Sequence, residues 1–300
     1  MEVQEEAVPV RDRRLLMNMA YRMLGSVAEA EDAVQEAYAR WYAMSDQGRD
    51  EVRSPTAWLV TVLSRICIDV LGSARRRRVR YVGEWLPEPV SPSAAWTSLA
   101  VDRRSGDPAE LVALDESLDV ALLVVLETMT PAERVVFVLH EVFGHRFAEI
   151  GGIVGRSPGA CRQLASSARR RLRQGRRQRI GREEHARTVA AFKEAWQTGD
   201  AAALVAALDP AAAAVVDGGG RVSAPAAPVR GAAAVAAVFL DVHRKVPGLV
   251  VEAAAVGARP GLVARGGDGR VVAAIAADGD GERIGRLWVM RDPAKLTTWR

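Results

Sequence analysis

Residues 144–178, GHRFAEIGGIVGRSPGACRQLASSARRRLRQGRRQ, limit what this chain can fold into more than any other stretch. Phe147 to Val154 has the spacing of a short helix with Phe147, Ile150 and Ile153 or Val154 inward, and Gly155 then supplies a tight turn that a residue with a Cβ resists. Ser157 follows as an N-cap, with Pro158 in the first helical position. Beyond it Ala160, Leu164, Ala168 and Leu172 recur on one side, while Arg162, Gln163, Ser166, Arg169, Arg170 and Arg173 spread over the opposite face. Helix, glycine turn and capped second helix make a helix-turn-helix. Arg and Gln near the start of its second helix reach base edges, and the later arginines neutralise phosphates. No Asp or Glu lies between Glu149 and Glu183, so nothing inside that span cancels its arginines. The plainer alternative is a solvated basic helix on an ordinary bundle.

A chain of 300 residues makes two or three domains, and a hydrophobic fraction of 49% is ample for their cores. The net charge of +4 hides local clusters: Arg75 to Arg78 with Arg80 form one basic knot and the tail of the helix-turn-helix another. Local charge is what a nucleic acid meets. Cys67 and Cys161 each sit inside a predicted helix with no Cys or His partner at metal-ligand spacing, which makes them small core residues in a reducing compartment and leaves no metal or cofactor to expect. The opening MEVQEEAVPV is acidic and lacks the apolar run of a signal peptide. Val120 to Leu126 and Ala232 to Leu240 are too short to span a bilayer, so a soluble cytoplasmic protein without membrane contact is expected.

Taken in order, Arg11 to Leu24 carries Leu16, Met19, Ala20, Met23 and Leu24 at helical spacing and stops at Gly25. Ser26, with Glu29 completing a capping box, opens a helix that buries Ala30, Ala33, Val34, Ala37 and Trp41 and turns Glu29, Asp32, Gln35 and Glu36 outward. A polar loop, Ser45 to Arg53, leads to the cap Ser54–Pro55 and a helix to about Leu71, whose stripe is Leu59, Val62, Leu63, Ile66 and Val70. Its basic end is equally a phosphate-binding surface or the charged end of a plain bundle. Residues 81–106 have no sustained periodicity and read as a linker, but Trp85, Leu86 and Trp96 are costly to leave in water, so the linker should dock. The helical pattern resumes from Pro108 with Leu118, Leu122, Val125 and Met129, and Thr130, Pro131 and Glu133 cap the next helix, to about Val142. After Gly181 come two helices, about 183–197 and 200–208, the turn DGGGR at 217–221, a helix over about 231–245, and strands 249–256, 262–264, 270–276 and 283–290. Helices on one face of a curved antiparallel sheet make an α+β domain.

The acidic helix AEDAVQEAYARW, the capped SPTAWLVTVLSRICIDVLGSARRRR helix, the linker and the segment TPAERVVFVLHEVFGHRFAEIGGIVGRSPGACRQLASSARRRL together resemble the bacterial extracytoplasmic-function sigma factors over about residues 9–175. The words WLPEP and DGGGR, with a C-terminal domain similar to the SnoaL or nuclear-transport-factor-two-like superfamily, point to the subfamily that carries that domain. The fold implied is multidomain: two all-α sigma domains, region 2 at 9–80 and region 4 at 108–180, joined by the linker 81–107 and followed by an α+β SnoaL-like cone at 183–300. The resemblance implies that Asp32, Gln35 and Glu36 meet the clamp of the largest core RNA polymerase subunit, with region 4 on the flap. It implies that Arg53, Trp58, Arg65 and Asp69, with Arg75, Arg76 and Arg77, take the −10 element and hold a flipped base. Ser157, Arg162, Gln163, Ser166, Arg169, Arg170 and Arg173 would read the −35 element. Relatives often have Arg where Ser167 stands, Lys where Arg221 stands, and NPDKL where this chain has RDPAKL at 291–296.

For the C-terminal domain the resemblance offers two roles. In the regulatory one, Trp85, Leu86 and Pro87 of the linker meet Asp217, Gly218, Gly219 and Gly220 of the turn and Asp292 and Lys295 near the terminus, setting how compact the molecule is. In the enzymatic one, a pocket needs a buried acid or His, for which Asp217 and His243 are the candidates and a turn or surface position the plainer reading of each. The regulatory reading leaves catalysis to the polymerase, so this chain is no enzyme; it expects a monomer when free, nucleoid-associated in the holoenzyme, with a small pocket ligand possible. A stand-alone helix-turn-helix regulator sensing a metabolite through the same domain is the alternative, and it would leave the acidic face idle.

Overall fold

The structure is a computed structural model that describes residues 10–78, 83–91, 94, 119–175 and 180–299, without the side chains of 10, 11, 74–78 and 175. Trp96, Arg80 and Leu118 of the sequence reading therefore lie outside the described residues. The chain divides into two compact units: one holds Met1–Arg76, Ala95–Leu114 and Thr128–Arg171, the other Arg77–Ala94, Asp115–Glu127 and Leu172–Arg300.

The first unit is helical. Helix α1 (Val10–Leu24) buries Leu16, Met19, Ala20, Met23 and Leu24 and ends at Gly25, whose φ of +73° suits only glycine well. Helix α2 (Val27–Tyr42) starts at Ser26, whose hydroxyl accepts the Glu29 N–H at 3.4 Å, and buries the expected row Ala30, Ala33, Val34, Ala37 and Trp41. The loop expected over 45–53 contains a short helix, α3 (Asp46–Asp50), because Ser45 accepts the Gly48 N–H at 3.2 Å and Asp46 favours the first turn. Helix α4 (Pro55–Arg78) runs past Leu71, since the arginines after Gly72 are good helix formers. Over Pro55–Ser73 it is long and apolar enough to cross a membrane by length and composition alone, a feature the sequence reading passed over. Leu59, Leu63, Ile66 and Cys67 are nevertheless buried in this helical unit, while Arg65 and Asp69 are exposed.

Within the same unit, α6 (Pro131–Phe137) begins with the expected capping box and continues as a π-helical turn, Val138–Val142. Helix α7 (Phe147–Val154) ends at Gly155 with φ +67°, and α8 (Pro158–Gly175) begins at Ser157, whose hydroxyl accepts the Ala160 N–H at 3.2 Å. Gly151 matters as much as Gly155, because a Cβ there would sit 2.6 Å from the Arg156 carbonyl oxygen and force the turn open. The inner face of α8 has Ala168 and Leu172 buried as expected, but in its first turns Cys161 and Ala165 are buried and Ala160 and Leu164 are only half-buried. Two arginines are buried among these helices. Arg22 donates to Asn18 and lies 5.8 Å from the Phe143 ring, and Arg134 donates to the Arg22 carbonyl at 3.5 Å. Burial pushes the Arg134 guanidinium down to about 9, with Cys67 and Glu29 opposing, so it stays charged at neutral pH.

Glu133 shows how α6 and α8 are tied. Its carboxylate accepts from Ser167 Oγ at 2.7 Å and from the Thr130 N–H at 2.9 Å, with Arg171 at 3.7 Å. Burial alone would raise this carboxyl, but those hydrogen bonds and Arg171 outweigh it and hold it below its ordinary 4.5. A carboxylate lowered in the folded state adds stability that is present above the unfolded value and lost as pH falls through the folded one. The unfolding midpoint should therefore drop on acidification below about pH 4.5, and Glu133→Gln should flatten that part of the midpoint-against-pH curve.

The second unit is built on a six-stranded sheet in the order β2-β1-β6-β5-β4-β3. Its strands are β1 (Leu208–Asp217), β2 (Val229–Arg230), β3 (Val250–Val256), β4 (Arg259–Arg265), β5 (Val271–Gly279) and β6 (Ile284–Met290). Strand β1 is a correction: a helix was expected to Leu208, but the helix there, α10 (Ala201–Ala206), is short and a strand follows. The sheet is also mixed rather than antiparallel, because β1 runs parallel to β6. Helices α9 (Arg182–Thr198), α10 and α11 (Ala232–Lys245) cover one face, where Phe192 and Trp196 each meet Phe239 edge-on with centroids 4.9 Å apart. Trp196 Nε1 donates to the Phe239 carbonyl at 2.8 Å, which satisfies the one polar atom of that buried ring. The other face carries Val256, Ala274, Ala276, Trp288 and Met290, and is covered by Leu86 of the linker, Val120 of α5 (Val120–Glu127), and Leu296 and Trp299. Residues read as a linker and as the first helix of the next sigma domain thus belong to the C-terminal body, because that is where their apolar side chains leave water.

Candidate nucleic-acid and polymerase interfaces

On α2, Asp32, Gln35 and Glu36 are exposed together on the side opposite the buried row, and Glu36 pairs with Arg40 one turn on. Glu29, expected beside them, is half-buried instead. Of the residues expected at a −10 element, Arg53 and Asp69 are exposed, and Trp58 is half-buried, edge-on to Trp41 with centroids 5.3 Å apart. The side chains of Arg75, Arg76 and Arg77 lie outside the described residues. Arg65 is engaged by the protein: its Nε donates to the Ile153 carbonyl at 3.1 Å and its Nη2 to the Gly152 carbonyl at 3.0 Å. Those carbonyls belong to the last turn of α7, where the helix leaves acceptors unpaired and favours a cation.

On α8, Ser157, Arg162, Gln163, Ser166, Arg169, Arg170 and Arg173 are all exposed, but they are not alike. Arg162 lies over the Phe147 ring at 5.6 Å. Arg169 donates to Glu141 through Nε at 2.9 Å and Nη2 at 2.6 Å. Among the described residues Arg170 and Arg173 have no such partner. The absence of acids inside the arginine-rich span is thus offset only at Arg169 and Arg171 among the described residues, which Glu141 and Glu133 reach from the helix before the motif.

In the C-terminal body the structure brings the linker, the glycine turn and the terminus together. The Leu86 N–H donates to Asp217 Oδ2 at 2.8 Å, and Lys295 Nζ donates to that same oxygen at 2.8 Å and to the Leu86 carbonyl at 2.9 Å. The ammonium also lies 4.3 Å from the Trp85 ring centroid. Burial lowers the Lys295 ammonium from its ordinary value, with Asp217 opposing. Asp217, for which a turn or surface place was the plainer reading, is fully buried, and its Oδ1 accepts the Gly219 N–H at 3.0 Å. Each early glycine of the turn has its own necessity: a Cβ on Gly218 would stand 2.4 Å from the Val222 carbonyl oxygen, and one on Gly219 would stand 2.2 Å from Asp292. Asp292 accepts from Arg221 at 2.9 Å, an ion pair between the end of the glycine turn and the C-terminal segment. Trp299 Nε1 donates to the Pro89 carbonyl at 2.6 Å, and the Gly257 N–H to the Val90 carbonyl at 3.3 Å. Leu86, Pro87 and Pro89 line an apolar cleft with Val120, Val256 and Trp288. His243, the other candidate acid–base residue, is half-buried beside Gly199, far along the chain from this cluster.

A helical unit with a capped helix-turn-helix and an acidic face thus stands on one chain with a body of helices on a mixed sheet. The chain matches the Sigma-70 region 2 family over residues 10–77 and the Sigma-70 region 4 family over residues 119–172. It is 36% identical to the ECF RNA polymerase sigma factor SigJ of Mycobacterium tuberculosis, over 99% of this chain and 94% of that protein. It is 39% identical to the probable ECF sigma factor SigI of the same species, over 68% of this chain and 67% of that one. The crystal structure of M. tuberculosis SigJ superposes with a TM-score of 0.70 at 32% identity, covering 96% of each chain. This chain belongs to the extracytoplasmic-function sigma factors, which bind core RNA polymerase and promoter DNA to direct transcription initiation.

Proposed function

We propose that the acidic face of α2, Asp32, Gln35 and Glu36, docks on the clamp of the polymerase's largest subunit, and that α8 reads the −35 element with Arg162 and Gln163 on base edges and Arg170 and Arg173 on phosphates. The observation that carries this is the placement of those residues, all exposed, on faces opposite well-formed cores. Arg53, Trp58 and Asp69 take the −10 element, and Arg65 joins them once its bonds to the α7 carbonyls are exchanged for DNA. The C-terminal body acts through its grip on the linker, which makes it regulatory; the linker's bonds to Asp217, Lys295 and Trp299 support this reading. The chain works in the cytoplasm, on the nucleoid when bound to polymerase.

The test is transcription by core RNA polymerase from a two-part promoter, with and without the full chain, and with Arg162→Ala. Initiation should require the chain. Loss of a base contact should weaken recognition of one −35 position by about 1–3 kcal/mol, whereas an even loss across all sequences would reassign Arg162 to phosphate binding.

A further inference from the structure

We infer that His140 and Phe147 are positioning residues for promoter specificity: the π-helical turn aims His140 at Phe147, and Phe147 holds the Arg162 guanidinium where it reads a base. This deepens the reading of α8 as the DNA-reading helix and rests on it.

A π-helical turn places one extra residue in the helix and is found where side chains are re-aimed for function. Here the Phe143 N–H donates to the Val138 carbonyl at 3.3 Å and the His145 N–H to the Leu139 carbonyl at 2.9 Å, which widens the end of the helix ahead of α7. His140 Nδ1 donates to the His145 carbonyl at 2.9 Å, fixing both the ring plane and the nitrogen that carries the proton. The ring stacks on Phe147 with centroids 3.9 Å apart and planes 32° apart. Phe147, half-buried at the start of α7, then meets Arg162 of α8 at 5.6 Å. The chain of contacts is carbonyl, imidazole, phenyl ring, guanidinium.

An exposed arginine explores many rotamers, and it loses that freedom when it grips a base. The ring at 5.6 Å removes part of the loss beforehand and favours one direction of approach. The same turn supplies Glu141, which draws Arg169 away from the bases and toward the helix that precedes the motif. One side chain of the reading face is therefore aimed and another restrained, by two consecutive residues of the turn. Neither contact follows from the core of the helix-turn-helix, which is made by Ile150, Ile153, Cys161, Ala165 and Ala168.

The experiment is multiplexed run-off transcription by core RNA polymerase and the full chain on a promoter library varied base by base through the −35 element. Phe147→Leu keeps an apolar contact but removes the ring, and His140→Ala removes the stack while leaving Phe147 in place. Both should lose discrimination on the order of fivefold at the position that Arg162→Ala affects, and only there. Phe147→Leu combined with Arg162→Ala should be no worse at that position than Arg162→Ala alone. Even losses across the library, or full discrimination in both variants, overturn the proposal. A wild-type chain that initiates without any −35 preference would remove the reading of α8 itself, and the proposal with it.

Discussion

Reversing the charge of the α2 face, with Asp32→Arg and Glu36→Arg together, is expected to abolish binding to core RNA polymerase and with it all initiation that depends on this chain. Both side chains are exposed, and among the described residues the ion pair they make is that of Glu36 with Arg40. Surface substitutions away from packed features change stability by about 0.5 kcal/mol or less, and an exposed ion pair one helical turn apart adds only about 0.3–0.5 kcal/mol. The fold should therefore survive, with an unchanged melting midpoint. Opposing like charges across an interface costs several kcal/mol, so the affinity should fall on the order of a hundredfold or more. Polymerase titrated against labelled chain measures it. Binding at wild-type affinity by a folded variant would sink the assignment of this face.

The second large effect is expected at Lys295. Its ammonium is one-tenth exposed and bonds at once to the Asp217 carboxylate and the Leu86 carbonyl, so it joins the C-terminus, the glycine turn and the linker through one atom. Lys295→Met keeps the length and the apolar stem but takes the ammonium away from a buried carboxylate. Removing one partner of a buried pair typically costs about 3–5 kcal/mol. Denaturant unfolding followed by tryptophan fluorescence reports this directly, since Trp85, Trp288 and Trp299 all lie at or near the linker contact. If the body also regulates initiation, transcription should change in the same variant at temperatures where it remains folded. A loss below about 1 kcal/mol, the size of an exposed pair, would show that the linker is held without the Lys295 ammonium.

What the sequence made legible was local. Ser26, Thr130, Gly155 and Ser157–Pro158 announce helix ends through chemistry that acts within four residues, and the structure has those ends in place. The rows of apolar residues found the buried side of α2 and, on α8, Ala168 and Leu172, but took Ala160 and Leu164 where Cys161 and Ala165 are the buried pair, because small side chains mark either side of a helix equally. Strand β1 was hidden for a related reason. Its run of alanines is the best helix-forming sequence there is, and pairing with β2 and with β6, about seventy residues on, makes it extended. The partners of Arg169 and Arg171 lie in the helix before the motif, and Arg65 bonds to carbonyls 87 and 88 residues away. Contacts over such separations leave no periodic trace. The linker shows both sides: Trp85 and Leu86 signalled that something must cover them, while the Lys295–Asp217 receptor became visible only once the sheet had brought positions 209 and 131 residues away to the same place.

The seam of this molecule does not fall where its regions meet in sequence. Leu86 and Val120 are core residues of the same body as Trp288 and Trp299, although a helix-turn-helix intervenes along the chain. A gene that lost its last third would encode a protein with an orphaned hydrophobic strap, and one that acquired such a domain without the strap would encode a sheet with one bare face.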